Sequence, residues 1–202
     1  MKTLYADCET TGTDPKIHDV IQFAAILEKP GRKPEEHEWF MRPENPDTIE
    51  QEALDVIGRT REEIMAYPSP IEVYPKILDF FDKHIQKFNR KDKLIWAGAN
   101  IQFDKDFMAE YFRRRGNPYF FSYVHPYGLD IGVLAMAAVR VGAMRPLVNY
   151  KLATIAARLG ITLEAHDALN DVRATRAAID KLLNKWAGAV MFEQKEAVID
   201  AA

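Results

Sequence analysis

Leu4-Tyr5-Ala6-Asp7-Cys8-Glu9-Thr10-Thr11-Gly12 is the stretch on which the fold of this chain turns. Its apolar start reads as a strand, and Thr10-Thr11-Gly12-Thr13-Asp14-Pro15 is dense in turn formers. In an extended chain alternate residues share a face, so Asp7 and Glu9 point one way and Cys8 the other. Two adjacent acids repel each other and lose hydration, a strain that a cation between them relieves. The competing reading places both acids in water at a strand end.

Outward from that strand, Asp19–Leu27 is a second apolar run and His37–Arg42 a third. The polar insert Lys29-Pro30-Gly31-Arg32-Lys33-Pro34 between them reads as a hairpin loop. Three strands on short connections predict an antiparallel meander. Further along, the apolar period becomes helical. Thr48 with Gln51, Thr60 with Glu63 and Ser69 with Glu72 have capping-box spacing, the last with Pro70 at the first helical position. Ile71, Tyr74, Ile77, Leu78, Phe81 and Ile85 recur at three and four and predict one amphipathic helix. Leu94–Ala99 reads as a short strand, followed by a Phe- and Tyr-rich helix ending at Arg113-Arg114-Arg115-Gly116. Helices are also expected over Ile131–Met144, over Tyr150–Leu159, and from near Asp167 to Trp186. This order predicts an α/β fold, a central mixed sheet with antiparallel first three strands, flanked by helices. With no repeat or linker, residues 1–202 read as one domain, with a core over roughly 3–186 and a short tail over 187–202.

The chain has 202 residues, 48% of them hydrophobic and 28% charged, enough for one self-sufficient core. A formal charge of −3 excludes a histone-like polycation, yet leaves room for a local basic track. The single cysteine excludes a disulfide framework and a Cys-rich zinc site, and fits a reducing compartment. Met1–Asp7 lacks a signal-peptide core, and the longest apolar stretch, Ile131–Met144, is too short for a bilayer. The expected location is the cytoplasm, away from membranes.

Further acids follow. Asp104 comes just after the Leu94–Ala99 strand, where ligands of α/β sheets collect; an acid in a first helical turn, as Asp106 also is, has a bland reading. Asp171 lies one turn into the last helix, on a face of small residues, and His166 precedes that helix. Asp167 reads as its N-cap. Singly, each has a structural explanation.

Together they form an ordered set that resembles the DEDDh branch of the DnaQ-like 3'→5' exonucleases. Asp7–Gly12 resembles that family's Asp-x-Glu-Thr-Thr-Gly motif, Asn100–Asp104 its Asn-x-x-Phe-Asp, and His166–Thr175 its His-x-Ala-x-x-Asp-x-x-Ala-Thr. Ile49–Thr60 and Tyr150–Ile161 are similar to two further family segments, so the likeness runs from Leu4 to about Leu183. Ile21–Ala25 and His166–Ala168 resemble the exonuclease I branch. Ala99 stands where many members have histidine, a departure that bears on packing or substrate fit.

The resemblance implies a ribonuclease H-like fold and hydrolysis of phosphodiester bonds from a 3' end, releasing nucleoside 5'-monophosphates. It implies two divalent cations, Mg²⁺ or Mn²⁺, held by Asp7, Glu9, Asp104 and Asp171. It further implies that Asp7 bridges them, that Glu9 and Asp171 share the ion holding the attacking water, that Asp104 serves the other ion, and that His166 takes the water's proton. Thr10, Thr11, Gly12, Asn100 and Phe103 are the expected substrate contacts. Carboxylate oxygen is the ligand that such hard ions select. Single-stranded ends are the expected substrate, and the Glu9–Gly12 form leans towards DNA; an RNA-directed enzyme is the alternative. Lys83, Lys87, Arg90, Lys91 and Lys93 could steer nucleic acid, whereas Arg113–Arg115 read as helix-ending cations. Two rivals stand beside this reading. One is a noncatalytic nucleic-acid or polymerase-binding module, although all five motif positions hold competent residues. The other is a His-Asp phosphohydrolase, suggested by His18-Asp19 and His166-Asp167 but expected to be all-helical.

Overall fold

Leu4, Ala6 and Cys8 face one side of the first strand, β1 (Lys2–Thr10), and Tyr5 faces the other. That strand is the middle of the structure, a computed structural model that describes residues 1–163 and 167–199. Strand β2 (Val20–Glu28) pairs antiparallel with β1, and β3 (Glu35–Phe40) antiparallel with β2. Gly31 turns the hairpin between them at φ 70°, a conformation open to glycine. Three helices follow, α1 (Gln51–Ile57), α2 (Arg61–Met65) and α3 (Pro70–His84). Strand β4 (Leu94–Gly98) then joins the free side of β1 in parallel. Helix α4 (Ile101–Arg113) leads to β5 (Val124–Asp130), parallel to β4, and α5 (Ile131–Arg140), α6 (Leu152–Arg158) and α7 (Ala168–Ile199) complete the chain. The sheet order is β3-β2-β1-β4-β5.

This is the expected α/β, ribonuclease H-like architecture, with one strand added. The β5 sequence Val-His-Pro-Tyr-Gly-Leu-Asp lacks apolar alternation and contains Pro126 and Gly128, so its pairing is not readable from composition. Its ladder is irregular. Leu94 pairs with Val124 and Trp96 with Gly128, so extra residues of β5 bulge out between them.

Each face of the sheet carries its own core. On one side Phe23 and Trp96 pack against Phe81 of α3 and Phe107 and Phe112 of α4. On the other, Ala24, Ile26 and Ala97 meet Ala135, Ile155, Ala178 and Ile179 of α5–α7. Small residues on both partners let α7 lie close to the sheet. Each fully buried large apolar side chain contributes about 1.5–3 kcal/mol, so two such layers fix the strands that carry the site.

Thr60 and Ser69 form the capping boxes expected of them. Thr48 does not. It closes a 3-10 turn over Pro46–Thr48 with its hydroxyl on Asn45 O, and α1 starts after Glu50 without a side-chain cap. The stripe of α3 is broader than the expected one: Ile77, Phe81 and Ile85 are buried and Tyr74 and Leu78 pack on the core as expected, Ile71 is exposed, and Val73, Phe80 and His84 are buried as well. Helix α5 stops at Arg140 because Gly142 takes φ 78°, and Asn149 anchors the approach to α6 by accepting from Lys151 N and Thr154 Oγ1. The last helix continues beyond Trp186 to Ile199, so 187–199 are helical where a tail was expected.

Candidate active site

The site forms where the C-terminal ends of β1 and β4 meet the first turns of α4 and α7. Asp7 and Glu9 lie on the Tyr5 side of β1, towards α7, as strand alternation requires. The β1–β2 register slips between Glu9 and Thr10, and this irregularity swings the chain out of the sheet into Thr11-Gly12. From α7, Asp171 completes a group: one carboxylate oxygen from each of Asp7, Glu9 and Asp171 lies within 4.8 Å of the others. Asp167 caps the helix, its Oδ1 accepting from Asn170 N at 3.0 Å, and so fixes the turn that presents Asp171.

Asp104 approaches from α4 on the other side of β1. It is 2% exposed, and its Oδ1 accepts the Cys8 backbone N–H at 2.9 Å. Asn100, just before α4, adopts φ 57°, a left-handed conformation that Asn tolerates. Ile101 N–H donates to Asp130 Oδ2 at 3.2 Å, which ties the start of α4 to the end of β5.

Burial and mutual repulsion dominate the electrostatics. Burial, then the charges of Asp104, Glu9 and Asp171, hold the Asp7 carboxyl well above the ordinary carboxylate range. Glu9 is pushed up to about 7, by burial first and then Asp171 and Asp167, while Arg59 pulls it down. Asp104 is pushed up to about 8 by burial, against the opposing hydrogen bond from Cys8. Four acids that each raise the proton affinity of their neighbours form a strong acceptor for positive charge. Their oxygens are the hard donors that suit Mg²⁺ or Mn²⁺, so this donor set fits divalent cations.

Beside Glu9 opens a cavity of about 410 Å³. Thr10, Gly12 and Phe103 line it, together with Ala53, Val56 and Ile57 of α1. Thr10 Oγ1 donates to Gly12 O at 2.7 Å and stiffens the turn. Thr11 is placed differently. It is fully buried, accepts Asp19 N–H on Oγ1, and offers its backbone oxygen to Glu50 N–H, so it latches the loop and does not wall the cavity. The α1 wall of this cavity is not among the expected contacts, although α1 falls within the family-like segment Ile49–Thr60. His166 lies outside the described residues.

Two other expectations are resolved by packing. Arg114 pairs with Asp19 and Glu110, and Arg115 stacks 3.8 Å above the Tyr111 ring, so the arginines at the end of α4 are chiefly structural. His18 Nδ1 accepts Asp14 N–H and Asp19 is held by Arg114, in a mixed α/β fold, which removes the His-Asp phosphohydrolase reading.

The sequence pattern that defines the RNase T exonuclease family matches residues 4–179. Among known proteins, the PolC-type DNA polymerase III of Thermotoga maritima is 27% identical over 170 residues, which is 84% of this chain and 11% of the polymerase. Among solved structures, Escherichia coli exonuclease I bound to a dT13 oligonucleotide superposes with a TM-score of 0.73 at 25% identity, over 96% of this chain and 43% of that one. The same enzyme with a dA16 oligonucleotide gives 0.71 at 27%, over 90% and 40%. The chain thus spans less than half of each of these relatives. No helix among the described residues is long and apolar enough to cross a membrane. Three ordered motifs, the converging acids and a family pattern over most of the length lead to one conclusion: the chain belongs to the DnaQ-like 3'→5' exonuclease family, whose members use divalent metal.

Proposed function

We propose that this chain removes nucleotides from the 3' end of single-stranded DNA, releasing nucleoside 5'-monophosphates, with two Mg²⁺ or Mn²⁺ ions held by Asp7, Glu9, Asp104 and Asp171. The observation that carries the reading is the meeting of Asp7, Glu9 and Asp171 oxygens within 4.8 Å beside a cavity of nucleotide size. Asp7 lies among the charges of Asp104, Glu9 and Asp171 and would serve as a ligand common to both ions. Glu9 and Asp171 repel each other directly and would hold one ion together, while Asp104 would serve the other from α4. Divalent cations at such a site neutralise charge on the attacking and leaving oxygens and acidify a bound water. His166, five residues before Asp171, would take the proton of the attacking water, a role suited to an imidazole near neutrality. Phe103 and Val56 wall the terminal base, and Thr10 and Gly12 offer backbone groups to the terminal sugar. Asn100 sets the start of α4 and hence the reach of Phe103 and Asp104. The oligonucleotides in the exonuclease I complexes are DNA, which favours DNA here.

Matched 5'-labelled DNA and RNA oligomers, incubated with Mg²⁺ or with chelator, test this. Stepwise shortening from the 3' end is expected, faster on DNA and absent with chelator. Asp171→Asn should lose more than about 100-fold, because even partners behind a metal ligand are worth 10–100-fold. Cleavage indifferent to chelator and to Asp171→Asn would overturn the reading. Binding without cleavage would favour a noncatalytic module.

A further inference from the structure

The end of the sheet opposite the carboxylates carries an unusual surface. Residues 83–93, the last turn of α3 and the loop to β4, hold Lys83, Lys87, Arg90, Lys91 and Lys93 with Asp92 as their one acid, in a chain of net charge −3. Asp92 is already paired with Lys2 at 2.6 Å. The register Lys2↔Leu94 puts this loop at the start of β1 and β4, about 16 Å along β1 from Asp7. A cleft of about 430 Å³ opens there, lined by Arg90, Lys91, Lys93 and His125.

Aromatic rings stand among these cations. Phe88 is 63% exposed and Tyr119 51%; their rings meet edge to face at 5.3 Å, with Lys87 Nζ 5.3 Å from both centroids. Phe88 also adopts φ 68°, a left-handed backbone that a bulky residue enters only at a strain of about 1–3 kcal/mol. Core packing gives no return for this strain, since the ring points to solvent. Lys93 Nζ donates to Phe121 O and Ser122 O, which fixes the loop against the turn that carries Tyr119. From there the bulge of β5 displays Tyr127, 79% exposed, on the edge strand that leads back to Asp130 and the start of α4.

We propose that this end of the molecule is a second binding site for single-stranded nucleic acid. Phe88 and Tyr119 stack unpaired bases, and Lys87, Arg90 and Lys91 neutralise the phosphates between them. Rings set among cations are how sequence-tolerant single-strand binding is built, because every base has a stackable face and every link a charge. The proposal rests on the nuclease reading for its polarity: the 3' end enters the carboxylate site and the upstream strand follows the β5 edge to the rings.

Two surface variants test it, Phe88→Asn with Tyr119→Ser, and Arg90→Glu with Lys91→Glu. Asn is at home at positive φ, so the first should fold at least as well as the parent by thermal melting. Fluorescence anisotropy in chelator, with single-stranded oligomers of about 4 and about 30 nucleotides, reads binding without cleavage. Both variants are expected to weaken binding of the long oligomer roughly tenfold or more and leave the short one unchanged. The charge variant should also flatten the dependence of log K on log salt by about 1 for each phosphate that is no longer neutralised. In Mg²⁺, KM for the long oligomer should rise with kcat unaltered. Unchanged long-oligomer binding, or equal losses on both lengths, would overturn the second site and leave the nuclease reading untouched. A parent that cleaves nothing but keeps the length-dependent binding would remove the nuclease reading and still support the site.

Discussion

Asp104 and Gly128 show how single positions set the site. Asp104 is held by a backbone N–H that an amide oxygen would accept equally well, so Asp104→Asn keeps the geometry and removes a charge. Its folded-state pKa of about 8 lies far above the ordinary 3.8. Between those values the folded protein holds a proton that the unfolded chain has released. Without metal, therefore, its contribution to stability is complete in acid and is lost as pH rises towards 8. Asp104→Asn should melt higher than the parent at pH 8 in chelator, by a margin that closes as the pH falls to 4. The same variant should lose more than about 100-fold in cleavage. Gly128 answers to space. A Cβ there would lie 2.3 Å from Trp96 O and 2.6 Å from Ile101 Cδ1, and the first of these is backbone that cannot turn aside. Gly128→Ala should destabilise the fold by about 1–3 kcal/mol in denaturant titration, the usual range for overpacking. It should also lower activity, because Ile101 opens the helix that carries Asp104.

Between elements, the tie that most directly braces the site loop is Arg114. It pairs with Asp19 just before β2 and donates to Pro15 O and His18 O, spanning almost half the chain. Asp19 Oδ2 in turn accepts Glu44 N–H and Asn45 N–H. Arg114→Met would leave that buried carboxylate uncompensated, and should cost about 3–5 kcal/mol by equilibrium unfolding. Asp19→Asn in the same background should recover part of it, since the backbone donors keep an acceptor. The three arginines could be read in sequence as the end of a helix, but a partner 95 residues away could not. Strands β1–β3 and the starts of α2 and α3 were legible because alternation and capping are local. The β5 strand was not: its pairing comes from β4 and α4, whose buried Lys105 donates to Pro126 O inside the bulge. In α3 the expected face holds except at Ile71, and burial extends to Phe80, which meets the His37 and Trp39 rings of β3, and to His84, which packs edge-on against Phe80. The four acids were legible as an ordered set, and their convergence needed the parallel β1–β4 pairing and α7. The basic run before β4 was legible as charge, while its distance from the acids followed only from register.

Across the whole molecule, the two ends of the sheet titrate in opposite senses. At the end away from the acids, His84 closes α3 under the β2–β3 hairpin. Lys29 Nζ lies 3.1 Å from its Nδ1, and because an ammonium can only donate, that nitrogen accepts and Nε2 carries the proton towards Glu35. Burial, then the Lys29 charge, lowers the imidazole from 6.5 to about 4, with Lys83 and His37 adding to the effect and Glu35 opposing it. The unfolded chain therefore binds a proton below 6.5 that the folded chain refuses until about 4. Stability from this cluster is complete above 6.5 and declines as the pH falls towards 4. Partly solvated neighbours screen the effect, so the loss is on the order of 1–2 kcal/mol. The carboxylate end slopes the other way in the absence of metal, losing stability as pH rises from 4 to 8. Unfolding in chelator should therefore show stability falling as pH rises from 4 to 8, because three raised carboxyls outweigh one lowered imidazole, with His84 offsetting part of the slope between 4 and 6.5. Saturating Mg²⁺ neutralises the acids and removes their slope, so stability should then rise with pH up to about 6.5 and level off. His84→Phe should flatten that metal-bound curve and leave the chelator curve falling with pH. A metal-bound curve that kept its rise in His84→Phe would assign the acid sensitivity elsewhere, and a curve indifferent to Mg²⁺ would mean that the acids do not hold the cation.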